Sequence, residues 1–320
     1  MEPPVAARSE SPQPDSSIAV TTPRSLGAGG AEHVEDLLRR TAFPAPGTPV
    51  NCAVSGGADS LALVVLAVSA GCVATAIHVD HGLRTGSASE ADAVRDAATR
   101  FGAQFESRTA RVDPGGDLEA RARRARYDAL PAGVLTGHTM DDQAETVLLN
   151  MIRGTGLHGI GAMRPSARKP LLAIRRAETA ALCVALGLEP LVDPSNTDPT
   201  FRRNRVRHEV LPLLSDVAER DVVPILARTA ALARGATDHL DELAMGIDPT
   251  DAGGLADSPP VLAALAIRTW LRAVAPDLHP PDAATIARVR RVAAGEAVAT
   301  DVGGGWEVRR HAGRLLLRQG

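Results

Sequence analysis

The first half of this 320-residue chain is organised around the hexapeptide Ser55-Gly56-Gly57-Ala58-Asp59-Ser60. Residues 49–54 ahead of it have the composition of a short buried strand, and residues 61–69 behind it form a Leu/Val/Ala run typical of a buried helix. Glycines and serines at such a turn let backbone N–H groups surround phosphate oxygens. Asp59 adds a carboxylate, which phosphates repel unless Mg²⁺ lies between them. The stretch favours a nucleotide and metal site; a serine-capped glycine turn is the alternative.

Composition narrows the class of protein. The stretch is not a Walker A loop, which needs a lysine beside its Ser/Thr, because the only lysine of the chain is Lys169. The net charge of −3 means that nucleic-acid binding must come from local basic patches. Cys52, Cys72 and Cys183 lie far apart in apolar segments, which argues against disulfides, zinc and iron–sulfur clusters. We expect buried thiols in a reducing cytoplasm, and the N-terminus shows no signal-peptide pattern.

The order of segments indicates an α/β fold. Short apolar strands are expected at 50–54, 73–80, about 103–108, 133–136 and 188–192, and helical patterns separate them. This alternation predicts a parallel sheet with helices on both faces and ligands at the carboxyl ends of the strands. The uncharged run Ser60 to Ile77 is interpreted as a helix followed by a strand, not a membrane span.

Two domains preceded by a tail are expected along the chain. Residues 1–30, rich in Pro, Ser, Ala and Gly, form a disordered tail. Residues 31–220 form the α/β domain. Residues 221–320 form a smaller, mainly helical domain that ends in a β-hairpin turning at Ala312-Gly313.

Two loops at the predicted strand ends carry unusual residues. The first begins with His78 and reads HVDHGLR; a metal site is one interpretation, but successive strand residues face opposite ways, so a strand end that contacts nucleotide or substrate is favoured. The second precedes a helix, on which His138, Asp142 and Glu145 follow helical spacing. An imidazole and two carboxylates then point to one place. Thr139 and Asp142 also fit a capping box, which leaves a structural role for Asp142 open.

Arginines cluster in two further segments. The helix at residues 119–127 carries Arg123 and Arg126, for which a solvated basic face is the alternative. Four arginines lie within residues 202–207 and predict a phosphate patch, with a solvated loop as the alternative: Arg202, Arg203, Arg205 and Arg207. The segment 154–159 matches G-x-G-x-x-G literally, but a helix precedes it where a dinucleotide fingerprint needs a strand.

These motifs together resemble a known family. SGGADS is similar to the loop of the PP-loop ATP pyrophosphatases, which would make the first domain a Rossmann-like PP-loop domain. The motifs SGGADS, HVDHGLR, E-x-x-A-R-x-x-R-Y, GHTMDDQAETVLLNMIRGTGLHGI and NTDPTFRRNRVRHEVLPLL, in this order from about Val50 to Leu214, resemble the tRNA(Ile)-lysidine synthetase family.

The resemblance implies a reaction and roles for residues. Such enzymes adenylate C2 of the wobble cytidine of an isoleucine tRNA with a CAU anticodon, releasing pyrophosphate, and free lysine then displaces AMP. ATP and Mg²⁺ would bind at Ser55–Ser60, with His78 nearby and Asp59 on the metal. The resemblance implies that Asp142 and Glu145 handle lysine, helped by His138 and by an arginine of residues 123–126, without deciding which one. The catalytic residues it implies are therefore Asp59, His138, Asp142, Glu145, Arg123 and Arg126.

Other assignments stay open. The Arg202–Arg207 patch would serve tRNA or departing phosphates, residues 221–320 would dock tRNA, and a homodimer is one alternative for the assembly. The rival within the superfamily is a tRNA thiolase, which would need catalytic cysteines near the site. A protein that binds ATP without turning it over is the rival from another class, but it has no use for the Asp142/Glu145 pair.

Overall fold

The chain forms two compact units. The computed structural model describes residues 28–80, 87–110, 118–275, 279 and 281–319. The first unit consists of Met1–Glu145 and Pro165–Asp216, and the second of Thr146–Arg164 and Val217–Gly320. Most of the tail expected at residues 1–30 lies outside the described residues, and helix α1 begins at Ala28.

A parallel sheet forms the centre of the first unit. Its strands are β1 (Pro49–Ala53), β2 (Val73–Asp80), β3 (Gln104–Thr109) and β4 (Leu135–Thr136). They are ordered β3-β2-β1-β4, and each neighbouring pair is parallel. The predicted parallel α/β fold is therefore confirmed, and the carboxyl ends of β1 and β4 lie side by side, with Cys52 opposite Leu135.

Helices pack on both sides of this sheet. They are α1 (Ala28–Leu38), α2 (Ala58–Ser69), α3 (Ser87–Arg100), α4 (Leu118–Ala129), α5 (Met140–Ile152, which continues into the second unit) and α7 (Arg176–Ala185). Helix α2 is buried almost all round, as its Leu/Val/Ala sequence requires. The interpretation of Ser60 to Ile77 as a helix followed by a strand is confirmed. In the parts of the chain that are described, no helix has the length and apolar character to cross a membrane.

The strand predicted at residues 188–192 is wrong. This segment is described and has no regular secondary structure. Pro190 has no N–H to donate to a neighbouring strand. Leu188 N–H instead donates to Cys183 O at the end of α7, and Leu191 N–H donates to Gly56 O (3.0 Å). Pattern alone cannot separate a short apolar run of this kind from a strand.

The first unit closes with a 3₁₀ turn (Pro194–Thr197) and a nearly continuous helix: α8 (Arg202–Arg205), a π-helical turn (Val206–Val210) and α9 (Leu211–Val217). The second unit contains α6 (Leu157–Ile160), α10 (Val223–Met245), α11 (Ala252–Asp257), α12 (Pro260–Val274) and α13 (Ala283–Ala294).

The second unit ends in a small antiparallel sheet. Its strands β5 (Ala299–Gly303), β6 (Trp306–His311) and β7 (Arg314–Gln319) are paired in that order. Ala312 and Gly313 both have positive φ, as a tight hairpin turn requires, so the predicted hairpin is confirmed. A core of Leu, Ile, Val and Ala side chains from α11–α13 and the sheet supports it.

Candidate functional site

The loop between β1 and α2 depends on a glycine backbone. Gly56 has φ +84° and is packed so closely on Leu191 that an added Cβ would lie 2.4 Å from Leu191 Cδ1. Ser60 Oγ accepts a hydrogen bond from Ser55 N–H (3.2 Å) and donates to Gly57 O (2.8 Å). Gly57 is the N-cap of α2 and has no side chain that could cap the helix, and the N-terminus of a helix attracts anions such as phosphate.

A second glycine brings the β4–α5 turn against this loop. A Cβ on Gly137 would lie 2.7 Å from Asp59 O and 3.1 Å from Ser60 N, so only glycine allows the two backbones to approach so closely. Because of this approach, Asp59 on α2 and the acidic first turn of α5 share one end of the sheet.

Asp142 combines the two roles that its sequence left open. Its Oδ2 accepts hydrogen bonds from Thr139 N–H (2.9 Å) and Thr139 Oγ (3.0 Å), as a capping residue does. Its Oδ1 lies 3.1 Å from Arg176 Nη2 and 3.4 Å from Arg203 Nη2. Burial raises the pKa of Asp142, but the charges of Arg176 and Arg203 outweigh it and hold the pKa below its usual value. Asp142 is therefore both a cap and a fixed negative charge.

Glu145 is a fully buried carboxylate held by three arginines. Its side chain is 0 % exposed. Its Oε1 accepts from Arg176 Nη1 (3.1 Å) and Arg207 Nε (2.7 Å), and its Oε2 accepts from Arg203 Nε (2.6 Å). A buried carboxylate needs such partners because its desolvation is costly.

Arg176 joins these carboxylates to the loop, although it belongs to none of the sequence motifs described above. Its Nε lies 3.4 Å from Asp59 Oδ2. Burial lowers the pKa of Arg176, but the carboxylates of Asp142, Glu145 and Asp59 raise it by more, so the guanidinium stays charged. A signal was present: Arg176 begins α7, where a cation opposes the helix dipole and indicates a carboxylate partner.

We call this group the acid–arginine cluster. Within the described residues it pairs three carboxylates with three guanidinium groups: Asp59, Asp142, Glu145, Arg176, Arg203 and Arg207.

Asp59 is the member nearest the loop. Its Oδ1 accepts a short hydrogen bond from the Thr179 hydroxyl. Burial raises the pKa of Asp59; this hydrogen bond and the charge of Arg176 lower it by less, so the net shift is upward. The Asp59 carboxylate therefore loses its proton less readily than an exposed aspartate.

The predicted arginine patch divides into two pairs. Arg203 and Arg207 face Glu145. Arg202 and Arg205 are exposed, and Arg205 pairs with Glu209 one turn away (2.9 Å). A π-helical turn follows α8 directly, a feature often found at functional sites. The structure therefore brings two of the four arginines to the cluster and leaves two at the surface.

The remaining predicted residues lie at the edges of the site, or their side chains are outside the described part of the chain. Buried His78 in β2 donates from Nδ1 to Val54 O (3.0 Å) and so supports the strand that leads into the loop. His138 Nδ1 lies 2.7 Å from Thr136 Oγ1, next to the turn that leads into α5. Arg123 and Arg126 belong to α4, but their side chains lie outside the described residues.

The three cysteines are buried thiols. Burial raises the pKa of Cys52 to about 12 and that of Cys183 to about 11, and it also raises the pKa of Cys72. A reactive cysteine needs access and a lowered pKa. These side chains have neither.

The fold and loop define a PP-loop protein. The PP-loop domain family matches residues 31–214, and the family described as the TilS substrate binding domain matches residues 251–316. A tRNA(Ile)-lysidine synthase of Salinispora tropica is 44 % identical over 314 residues, covering 85 % of this chain and 91 % of the relative. One of Nocardia farcinica is 45 % identical over 246 residues, covering 72 % of this chain and 77 % of the relative. The chain belongs to the tRNA(Ile)-lysidine synthase family.

A solved structure supports the fold alone. The U34-tRNA thiolase NcsA from Methanococcus maripaludis, with its [4Fe-4S] cluster, superposes with a TM-score of 0.51 at 19 % identity. The superposition covers 64 % of this chain and 80 % of that one.

Proposed function

We propose that this protein modifies the wobble cytidine of an isoleucine tRNA with a CAU anticodon in an ATP-dependent reaction with lysine. ATP adenylates the C2 oxygen and pyrophosphate leaves. The ε-amino group of free lysine then attacks C2 and displaces AMP. Family membership over most of the chain supports the reaction. The observation that carries the proposal is that the phosphate loop and the acidic first turn of α5 meet at the carboxyl ends of β1 and β4.

The loop is the proposed ATP site. Ser55–Ser60 would surround the phosphates with backbone N–H groups and the N-terminus of α2. Mg²⁺ at Asp59 is also proposed. Among the described residues, no group of three or more His, Cys, Asp or Glu side chains is arranged to hold a metal. A single carboxylate nevertheless fits, because Mg²⁺ in such sites is bound by one or two carboxylates and the phosphates of the substrate. When bound, the ion would neutralise charge on those phosphates.

Asp142 and Glu145 are the proposed lysine site, with His138 beside them. Free lysine has a side-chain pKa of about 10.4, so it arrives as a cation and must lose a proton before its nitrogen attacks. Carboxylates fixed on one helix face suit both tasks. In the structure their charges are balanced by arginines. Lysine must therefore displace these arginines from the two carboxylates or bind the carboxylates together with them.

The arginines that balance the site are proposed phosphate ligands. Arg203 and Arg207, at 30 % and 22 % side-chain exposure, could exchange Glu145 for phosphate oxygens of ATP or tRNA. Arg123 or Arg126 of α4 would assist lysine or ATP. Replacing each by alanine and measuring both half-reactions assigns these roles.

Residues 221–320 are proposed to dock the tRNA. The match of residues 251–316 to a substrate-binding domain supports this assignment. Exposed Arg318 on β7 and Arg272 at the end of α12 offer positive charge for phosphate contacts. The double variant R272E/R318E should bind tRNA more weakly and more salt-dependently while ATP affinity stays unchanged. The matched control is R39E on α1, where Arg39 is exposed and pairs with Asp36. Equal tRNA affinity in all three proteins would contradict the docking role.

The rival reaction, sulfur transfer to tRNA, lacks a nucleophile. A thiolase mechanism needs accessible, activated cysteines, and Cys52, Cys72 and Cys183 are buried with raised pKa values.

The proposal is tested by incubating the protein with ATP, labelled lysine and a CAU-anticodon isoleucine tRNA transcript. We expect label in the RNA and AMP in equal amount. The matched control is a transcript with uridine at the wobble position, which should take up no label. Label in neither transcript would contradict the proposal. The cytoplasmic location that a tRNA substrate implies belongs to the proposal, and so does a homodimer, which light scattering of the purified chain tests.

A further inference from the structure

One guanidinium group contacts both halves of the proposed active site. Arg176 Nε lies 3.4 Å from Asp59 Oδ2, at the phosphate loop. The two Nη atoms of the same side chain lie 3.1 Å from Asp142 Oδ1 and 3.1 Å from Glu145 Oε1, at the proposed lysine site. A change of charge at either half must therefore act on this cation.

We propose that Arg176 is a positioning residue that couples nucleotide binding at the loop to lysine binding at Asp142 and Glu145. This coupling rests on the proposed function. In the absence of ligands, Arg176 neutralises the carboxylates that would hold the lysine ammonium, so it competes with lysine. Phosphates bound beside Asp59 bring negative charge to which the planar guanidinium fork is well matched.

The backbone of Arg176 is anchored, and its guanidinium is partly exposed. Its backbone N–H donates to Asp141 Oδ2 (2.8 Å), and the neighbouring Arg175 side chain holds the same carboxylate (3.1 Å). The start of α7 is thereby anchored to α5. The Arg176 side chain is 28 % exposed, so phosphates bound at the loop can reach its guanidinium while the backbone stays in place.

The sign of the coupling follows from charge. When the Arg176 guanidinium turns towards bound phosphates, Asp142 and Glu145 lose a counterion and attract the lysine ammonium more strongly. ATP should therefore tighten lysine binding, and lysine should tighten ATP binding by the same factor. Coupling between two sites is commonly about 5- to 150-fold.

Calorimetry of the full chain tests the coupling without tRNA. L-Lysine is titrated into the protein with and without a non-hydrolysable ATP analogue. In the wild type we expect the analogue to raise lysine affinity by a factor within this range. In Arg176→Gln we expect a ratio near one, because lysine should bind the nucleotide-free variant at least as tightly as the nucleotide-free wild type. The analogue itself should bind that variant more weakly.

Arg175→Gln is the matched control. It removes an arginine at the same helix start that holds Asp141 (3.1 Å), so it should cost stability but keep the wild-type ratio. If Arg176→Gln does not fold, Arg176→Lys replaces it. A lysine ammonium is a compact charge that cannot span three carboxylates, so the ratio should again fall.

The outcomes separate the two proposals. A wild-type ratio in folded Arg176→Gln or Arg176→Lys would overturn the coupling, and so would a ratio of one in the wild type. A wild type that binds neither lysine nor the analogue would instead contradict the proposed function.

Discussion

Replacing Asp142 by asparagine separates its two structural roles. An asparagine that keeps its oxygen at the Oδ2 position still accepts from Thr139 N–H and Oγ, so the cap survives. Its NH₂ group then faces Arg176 Nη2 and Arg203 Nη2, which are 3.1 Å and 3.4 Å from the present Oδ1. The hydrogen-bond donors of the amide and of the two arginines would then face one another. The negative charge of Asp142, to which we assign lysine binding, would be lost.

The expected loss falls on the lysine step. Losing one partner of a desolvated charge pair costs about 2–5 kcal/mol. Glu145 stays in place, so we expect the lower part of this range, about 2–3 kcal/mol, which corresponds to roughly 30- to 150-fold slower lysine transfer. Pyrophosphate release from ATP and tRNA without lysine should stay near the wild-type rate. Adenylated tRNA should then accumulate.

The assay measures pyrophosphate release and labelled-lysine transfer separately. Thr139→Ala is the control, because it removes a capping hydroxyl and no charge. It should cost about 1 kcal/mol of stability and leave the ratio of the two steps unchanged. An equal loss of both steps in Asp142→Asn would mean that Asp142 serves ATP or its metal. A loss of stability alone would mean that it is only a cap.

Three further predictions follow from the contacts of the cluster. Asp59→Asn should abolish pyrophosphate release but keep the fold, because the amide oxygen still accepts from Thr179; circular dichroism and a pyrophosphate assay check this, and near-normal release would remove Asp59 from the mechanism. Gly137→Ala should cost on the order of 1–3 kcal/mol and raise the KM for ATP, since the new Cβ meets a backbone oxygen at 2.7 Å; unchanged stability would refute the close approach. Arg207→Gln should destabilise by about 3 kcal/mol in urea unfolding because it leaves buried Glu145 short of a partner, whereas Arg205→Gln on the exposed face should cost less than about 0.5 kcal/mol; equal effects would contradict the division of the patch.

Acid pH gives a further prediction for Asp142. Its folded-state pKa is lowered, because the charges of Arg176 and Arg203 outweigh burial. The ionised carboxylate therefore stabilises the fold above the unfolded-state pKa of about 3.9, and this stabilisation is lost as the pH falls through the lower folded-state value. The melting-temperature difference between wild type and Asp142→Asn should be constant near neutral pH and shrink below about pH 4. A difference that grows towards acid would contradict the lowered pKa.

The sequence predicted the parallel sheet and the loop because both depend on local pattern. Apolar strands that alternate with helices allow few strand orders in a sheet. The turn between β1 and α2 needs a positive φ, which Gly56 supplies. The segment 188–192 defeated the same reasoning. Leu191 of this segment packs on Gly56 of the loop instead of joining the sheet. A pattern of apolar residues does not show which part of the chain packs on them.

The composition of the site was only partly predictable. Helical spacing placed Asp142 and Glu145 on one face, and the structure brings both to Asp59. Arg176 comes 31 residues after Glu145 and contacts it only because α7 packs beside α2 and the first residue of α7 bonds to Asp141 of α5. Arg203 and Arg207 looked like surface phosphate ligands, yet they face a buried carboxylate. Long-range charge pairing leaves little trace in a single sequence.

Mass spectrometry of the wobble nucleoside shows directly whether the protein attaches lysine to the wobble cytidine. The protein is incubated with ATP, isotope-labelled lysine and a CAU-anticodon isoleucine tRNA transcript, and the RNA is digested to nucleosides. We predict that the wobble cytidine gains the mass of one labelled lysine less one water, in equal number with the AMP and pyrophosphate released. An unmodified wobble cytidine, or a lysine attached at another nucleotide, would contradict the proposed reaction.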